Sequence, residues 1–330
     1  MTIGWGIIGI GRIADSAMAP AITGDANSRL EAVVSRDEGR AEAFAVKHGA
    51  AAAGTSYEEM LANPQVDAVL ICTPNTLHPD QVVAAARAGK HVLCDKPLGG
   101  IAADAARALQ TCKQAGVKLG INFQTRHHGC FQEARQAIAE GRIGDVISAQ
   151  VDASPGSAPL GGWRTDAALA GLGATNNIAV HIYDLIRFLL DDDPTEVVAM
   201  FESGRAEQLE RLPMVLMRFS RGALVYANGN QLTPKPLNDL VIHGTRGRID
   251  ARGLTRPGQE GRMRIVSGED ETEREYSSHD AYARTLAAFS HAVSEGREPN
   301  PSGLDGLRSV QLTDAIRRSA REGLVVPVGE

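Results

Sequence analysis

Residues 3–14 read IGWGIIGIGRIA, with Gly9, Gly11 and Ala14 in a G-x-G-x-x-A spacing. A short apolar run ending in glycines, followed by a polar, Ala-containing stretch, reads as a buried strand, a tight turn and the opening of a helix. In that setting each small residue answers a steric need. Gly9 permits the turn, Gly11 lets a pyrophosphate approach the backbone, and Ala14 lets the helix pack on the strand. The helix N-terminus then favours the negative charge. Glycines occur at many strand-to-helix turns, so the reading depends on what surrounds this one.

The surroundings support it. Apolar runs recur at LEAVVS, AVLICT, HVLCDKP and VKLGIN, separated by helical patterns such as EGRAEAFAVKHG and LHPDQVVAAARAGK. Strands alternating with helices predict βαβ units on a buried parallel sheet with right-handed crossovers. The expected first domain is an α/β Rossmann dinucleotide-binding domain over residues 1–122. The second strand ends in VVSRDEGR, where Ser35, Arg36 and Arg40 suit a 2′-phosphate, while Asp37 could instead serve a ribose hydroxyl. NADP is therefore favoured over NAD, with a solvated helix start as the plain alternative for the two arginines.

From residue 123 the texture changes. FQEARQAIAEGRIG reads as a helix closed by glycines, and DVISAQVDAS alternates like a half-exposed strand. A Gly/Pro-rich loop follows at SPGSAPLGGWRTD, and then the helix that holds NNIAVHIYD. TEVVAMFES, PMVLMRFS, ALVYANGNQ, LNDLVIHG and RMRIVSG predict an antiparallel meander, and AYARTLAAFSHAVSEG and GLRSVQLTDAIRRSAREG predict closing helices. Residues 123–330 are thus expected to form an α+β domain, its last helices being candidates to pack back on the first domain.

Bulk composition excludes several classes. At 330 residues, with 43% hydrophobic and 22% charged residues, the chain has an ordinary globular composition. A net charge of -6 gives no ground for a nucleic-acid partner, and no apolar run approaches a membrane span. The N-terminus reads as strand rather than signal peptide, and Cys72, Cys94, Cys112 and Cys130 form no CxxC, so a cytoplasmic protein with reduced thiols is expected. His127 and His128 are neighbours with no carboxylate at ligand spacing, so no metal is expected.

The stretch HVLCDKPLGG, together with GIGRIA, DAVLICTPNTLHPD, GINFQTR, EGRIGDV, GWR and the helix around His181, resembles the Gfo/Idh/MocA oxidoreductases over nearly the whole chain. The resemblance implies a second domain for substrate binding and oligomerisation. It would be built on a large open, mostly antiparallel sheet whose outer face often joins dimers or tetramers. It also implies hydride transfer between a nicotinamide and an oxygen-bearing carbon of a sugar, anhydrosugar or cyclitol. Carried over residue by residue, the cofactor would touch Gly9, Ile10, Gly11, Arg12, Ile13, Ser35, Arg36 and Arg40. It would also touch Cys72, Thr73, Pro74, Asn75, His78, Asp95, Lys96, Asn122, Trp163, Arg164 and Tyr282.

Two residues suit proton transfer. Lys96 could donate a hydrogen bond or proton to the carbonyl oxygen as hydride arrives, although a lone lysine before a proline is more often a surface residue. Pro97 is a candidate for a cis bond. Histidine titrates near neutrality as a residue type, so His181 is the alternative proton donor, with Lys96 then orienting the substrate. Asp184 either orients that imidazole or caps a polar face. Arg126 is the expected substrate-side cation, and Trp163 either stacks on a ring or plugs the cleft.

Asn177 lies four residues before His181, so on a helix both share a face. The family pattern there is D-x-x-x-H, and an amide cannot exchange a proton as a carboxylate can. Asn177 is therefore assigned to a sugar hydroxyl. A competing reading is a non-catalytic, NADP-binding sensor or regulator, and a third is glycoside cleavage through transient oxidation.

Overall fold

The computed structural model describes residues 2–157, 161–202, 209–256, 260–277 and 280–329. The loop expected over 154–166 and the strand expected over 195–203 therefore include residues outside that set, 158–160 and 203. The chain divides into two compact units, Met1–Gln124 with Tyr282–Val310, and Thr125–Ala281 with Gln311–Glu330.

The first unit is built on six parallel strands: β1 (Ile3–Ile8), β2 (Ser28–Val34), β3 (Ala52–Gly54), β4 (Ala68–Ile71), β5 (His91–Cys94) and β6 (Leu119–Ile121). Their order is β3-β2-β1-β4-β5-β6. All residues of β1 and β4 are buried, which is why these strands read as continuous apolar runs rather than alternating ones. Trp5 fills the space under β1, donates from Nε1 to Ser28 Oγ at 3.2 Å, and lies 5.5 Å from the Phe289 ring. The order reverses between β1 and β4, so the crevice for a ligand lies at the carboxyl ends of these strands.

The second unit carries nine strands: β7 (Val146–Ala153), β8 (Pro194–Phe201), β9 (Pro213–Phe219), β10 (Leu224–Gly229), β11 (Leu240–Gly244), β12 (Gly247–Arg252), β13 (Gly261–Ser267), β14 (Asp270–Tyr276) and β15 (Val326–Pro327). Their order is β14-β13-β12-β11-β7-β10-β9-β8-β15, and only β7 with β10 runs parallel. In β9, Val215, Met217 and Phe219 are buried while Met214, Leu216 and Arg218 are exposed, the period of a sheet covered on one face. Helices Gly129–Ala139 and Val180–Leu190 bury their apolar residues in the core on the covered side.

The parallel sheet and the mostly antiparallel sheet follow the sequence patterning. Four strands do not: β3, β12, β14 and β15. β14 reads DETEREY, is exposed from Asp270 to Glu275 and, among the described residues, pairs only with β13. Charge on an edge strand keeps other chains from adding to it, and it also hides the strand from any hydrophobic pattern.

His91, at the start of β5, makes the first unit acid-sensitive. Its Nδ1 accepts the Lys118 N–H at 3.0 Å, and burial holds its pKa below the ordinary 6.5. The unfolded chain takes up that proton first, so stability is complete above pH 6.5 and declines as pH falls through it. The thermal midpoint of wild type should fall between pH 7.5 and 5.5 more steeply than that of His91→Gln, whose amide oxygen can still accept the Lys118 bond. Parallel curves would contradict this.

Candidate active site

In the first unit the turn after β1 is held by contact. Gly9 has φ +89°, and a Cβ there would lie 2.6 Å from the Cys72 carbonyl carbon and 2.7 Å from the Thr73 nitrogen. Only glycine meets both conditions. Gly11 is exposed, with nothing within 4 Å of where its Cβ would be, which leaves room for a phosphate against the backbone. Ile10 is buried, Ile13 is half-buried and Arg12 is exposed.

Ser35, Arg36 and Arg40 come after β2, the first half-buried and the arginines exposed. Asp37 caps the helix Glu38–His48, accepting the Arg40 N–H at 2.8 Å, and its own N–H donates to Ser35 Oγ at 3.3 Å. Cys72, Thr73, Pro74 and Asn75 follow β4, and Asp95 and Lys96 follow β5. His78 ties these two loops together. It is fully buried, with Nδ1 2.7 Å from the Pro97 carbonyl oxygen and Nε2 2.9 Å from that of Thr73. Burial pushes its pKa down, while the Pro97 carbonyl, the Asp95 charge and the Thr73 carbonyl pull it up. The Lys96–Pro97 bond is cis. Burial holds Cys72 and Cys94 as thiols, far above their ordinary pKa.

Asn122, just past β6, donates its N–H to the Cys94 carbonyl at 2.8 Å and its Nδ2 to Asp95 at 3.4 Å. Its Oδ1 is buried with no partner among the described residues. An open glycine turn and an orphaned buried amide oxygen, both at the carboxyl edge of a parallel sheet, fit a dinucleotide. Tyr282 is half-buried and packs against this unit's core.

The second unit holds the remaining sequence candidates. The segment bearing Asn177 and His181 is not uniformly α-helical. Thr175–Ala179 is a π-helical turn that runs into the α-helix Val180–Leu190. Such turns recur at functional sites. Asn177 and His181 are both half-buried. Arg164 donates from Nε to Asn177 Oδ1 at 3.3 Å and stacks its guanidinium 4.4 Å from the Trp163 ring centre.

Two further candidates pair with each other. Arg126 and Asp184 form a two-point pair, Nε to Oδ2 at 2.7 Å and Nη2 to Oδ1 at 2.5 Å, and they are 4% and 1% exposed. Arg187 stands 3.8 Å from the same carboxylate and donates to Asp193 at 2.6 Å, while Arg126 lies over the Phe188 ring. The cation assigned to a substrate thus meets a buried carboxylate 58 residues on, and Asp184 has a guanidinium partner rather than only a histidine or a polar face. Glu210, which nothing in the sequence singles out, is fully buried against the start of the Asn177 segment. Among the described residues no group of three or more His, Cys, Asp or Glu could hold a metal ion, and no helix is long and apolar enough to cross a membrane.

The first unit's geometry fits a dinucleotide-binding protein, and comparison with known proteins says which kind. Residues 3–123 match the oxidoreductase family with the NAD-binding Rossmann fold, and residues 131–250 match the GFO/IDH/MocA C-terminal domain. The chain belongs to the Gfo/Idh/MocA oxidoreductase family. It is 35% identical over 322 residues to a 1,5-anhydro-D-fructose reductase of Ensifer adhaerens, covering 97% of this chain and 96% of that one. It is 30% identical to an inositol 2-dehydrogenase of Rhizobium meliloti, covering 98% of each. The crystal structure of an aldose-aldose oxidoreductase from Caulobacter crescentus, complexed with glycerol, superposes with a TM-score of 0.90 at 28% identity, covering 99% of this chain and 100% of that one.

The buried pair predicts an asymmetric response to mutation. Asp184→Asn leaves the Arg126 charge poorly matched and should cost about 3–5 kcal/mol in urea unfolding, whereas Arg126→Met with Asp184→Leu should recover most of that loss. A small cost for the single variant would show that the pair is not held dry.

Proposed function

We propose that the chain is an NADP-dependent oxidoreductase acting on the CH–OH or C=O carbon of a sugar, anhydrosugar or cyclitol. What carries the reading is one sheet edge that combines the open Gly9–Gly11 turn, Ser35 and two exposed arginines after β2, and Lys96 after β5. The names of the relatives, an anhydrosugar reductase, a cyclitol dehydrogenase and an aldose oxidoreductase, support the substrate class. NADP is supported by the two guanidinium groups and by Asp37, whose Oδ1 is engaged in capping a helix. Four free cysteines support a reducing compartment, the cytoplasm.

When bound, the nicotinamide supplies or accepts the hydride. The proposed holders are Gly9–Ile13, Ser35, Arg36, Arg40, Cys72–Asn75, Asp95, Asn122 and Tyr282, with Trp163 and Arg164 of the second unit. His78 acts by pinning the Thr73 and Pro97 loops. Lys96 and His181 handle the proton of the reacting oxygen, one donating and the other orienting. Asn177, fixed by Arg164, binds a substrate hydroxyl. Arg126 and Asp184 serve as a scaffold that fixes the helix Val180–Leu190. A second reading, a sugar-responsive regulator without turnover, rests on Asn177 standing where the family pattern has Asp.

The test is nicotinamide absorbance with NADPH and 1,5-anhydro-D-fructose, and with NADP and a panel of aldoses, anhydrosugars and cyclitols. Wild type should turn over, and Lys96→Ala should lose about 10²–10⁴-fold in kcat. Arg36→Ala with Arg40→Ala should weaken NADPH about 10–100-fold and leave NADH unchanged. Binding without turnover, with activity appearing in Asn177→Asp, would favour the regulator. Equal affinity for NADH and NADPH in wild type would remove the cofactor assignment.

The uncovered face of the second sheet supports the proposal of a homo-oligomer. Met200 lies opposite Met214 across β8 and β9, and Leu216 and Leu224 continue the patch onto β10, all exposed. An apolar sheet face of this kind suits a second copy of the chain, as a homodimer or homotetramer. Leu216→Glu with Met214→Glu should lower the mass in sedimentation to that of one chain, 35.0 kDa. A wild type already at that mass would rule the assembly out.

A further inference from the structure

Resting on the reading of Asn177 and His181 as substrate-side groups, we propose that Glu210 is a positioning residue: it clamps the first turn of the segment from which both project and so sets where they act. Glu210 is fully buried. Its Oε2 accepts the Gly173 N–H at 2.9 Å, and its Oε1 accepts the Thr175 N–H at 2.7 Å. Its own carbonyl oxygen accepts the intervening Ala174 N–H at 2.7 Å. Three successive backbone donors, which a helix start leaves without internal partners, are all met by one residue. The carboxylate also complements the positive end of the helix that follows.

The fit is closed from the other side. A Cβ on Gly173 would come within 2.1 Å of the Glu210 carbonyl oxygen, so a side chain at 173 would push the clamp open. Downstream, the Asn177 N–H donates to the Gly173 carbonyl at 3.0 Å, which carries the position of the clamp directly to the amide. Glu210 also influences the segment further on. Burial, and after it the Glu210 charge, push the buried Tyr183 phenol above its ordinary pKa two residues beyond His181. Burial raises the Glu210 pKa too, against the pull of its donors.

A carboxylate is specific for this task. It offers an acceptor to each of two N–H groups, whereas the near-isosteric amide of glutamine offers one acceptor and turns a donor toward the other N–H. Glu210→Gln should therefore loosen the turn without removing any group that touches substrate. A displacement of about 1 Å at a reacting group lowers turnover on the order of 10²-fold, and a partial one by less.

Wild type, Glu210→Gln and Glu210→Asp would be compared by hydrogen–deuterium exchange over residues 173–179 and by steady-state kinetics on the substrate panel. The expected result for Glu210→Gln is faster exchange in that peptide and a kcat lower by roughly 10–100-fold, with KM for NADPH within about twofold of wild type. Glu210→Asp, which keeps the charge on a shorter arm, should fall between them, and it carries the same test if the glutamine variant does not fold. Faster exchange with unchanged kcat would make Glu210 merely structural and overturn the proposal, as would unchanged exchange. If wild type itself turns over none of the panel, the substrate assignment has failed rather than the clamp. The clamp is then judged by NMR titration of the His181 ring: a pKa moved by Glu210→Gln supports it, and an unmoved one overturns it.

Discussion

Everything in the first unit follows from how closely β1 and β4 end. At Gly9 the chain passes so near the Cys72–Thr73 peptide that no side chain fits, and the turn must take a left-handed φ to clear it. That contact brings two strand ends together at the point where the sheet order reverses. The loops after β4 and β5 are then held by a single buried imidazole, His78, between the Thr73 and Pro97 carbonyls. Lys96 is the residue before Pro97, so its place is set by backbone geometry two strands away from the glycine turn rather than by its own long side chain.

The second unit solves a similar problem with charge. Arg126 reaches Asp184 through two hydrogen bonds, and Arg187 bridges toward Asp193 from the same helix. Buried ion pairs of this kind contribute little net stability over apolar residues of the same size, because desolvation offsets their attraction. They do discriminate among alternative packings, since any shift that parts the pair gives up two buried, charge-assisted hydrogen bonds. For a helix that is apolar on nearly every side, as Val180–Leu190 is, such a pair and the Glu210 clamp supply a register that hydrophobic packing alone leaves loose.

The nine-stranded sheet divides its uncovered face between two surfaces. Toward β8 and β9 it is apolar, with Met200, Met214 and Leu216. Toward β12, β13 and β14 it carries Arg248, Asp250, Arg252, Arg264 and Glu271 in a network of ion pairs. The apolar part suits burial against another chain, and the charged part protects an edge that would otherwise invite strand addition.

Local signals were readable from the sequence alone. The glycine spacing at 9–14, the continuous apolar strands, the alternating strands such as β9 and the helix with His181 are all encoded by neighbours within a few residues. They were enough for the fold class and the family. What the tertiary structure decided depends on groups far apart in the chain. Strands β12 and β14 exist because β11 and β13 offer them partners, not because their charged sequences call for extension. Arg126 reads in the sequence as a cation for substrate, and its pairing with a carboxylate 58 residues away shows only in the fold. Glu210 looked like one of many glutamates, and burial 35 residues from the turn it holds gives it a role. A sequence pattern records which residues prefer burial. It does not record which polar group each buried one will meet, because that choice is made only when distant segments pack and every desolvated donor must find an acceptor.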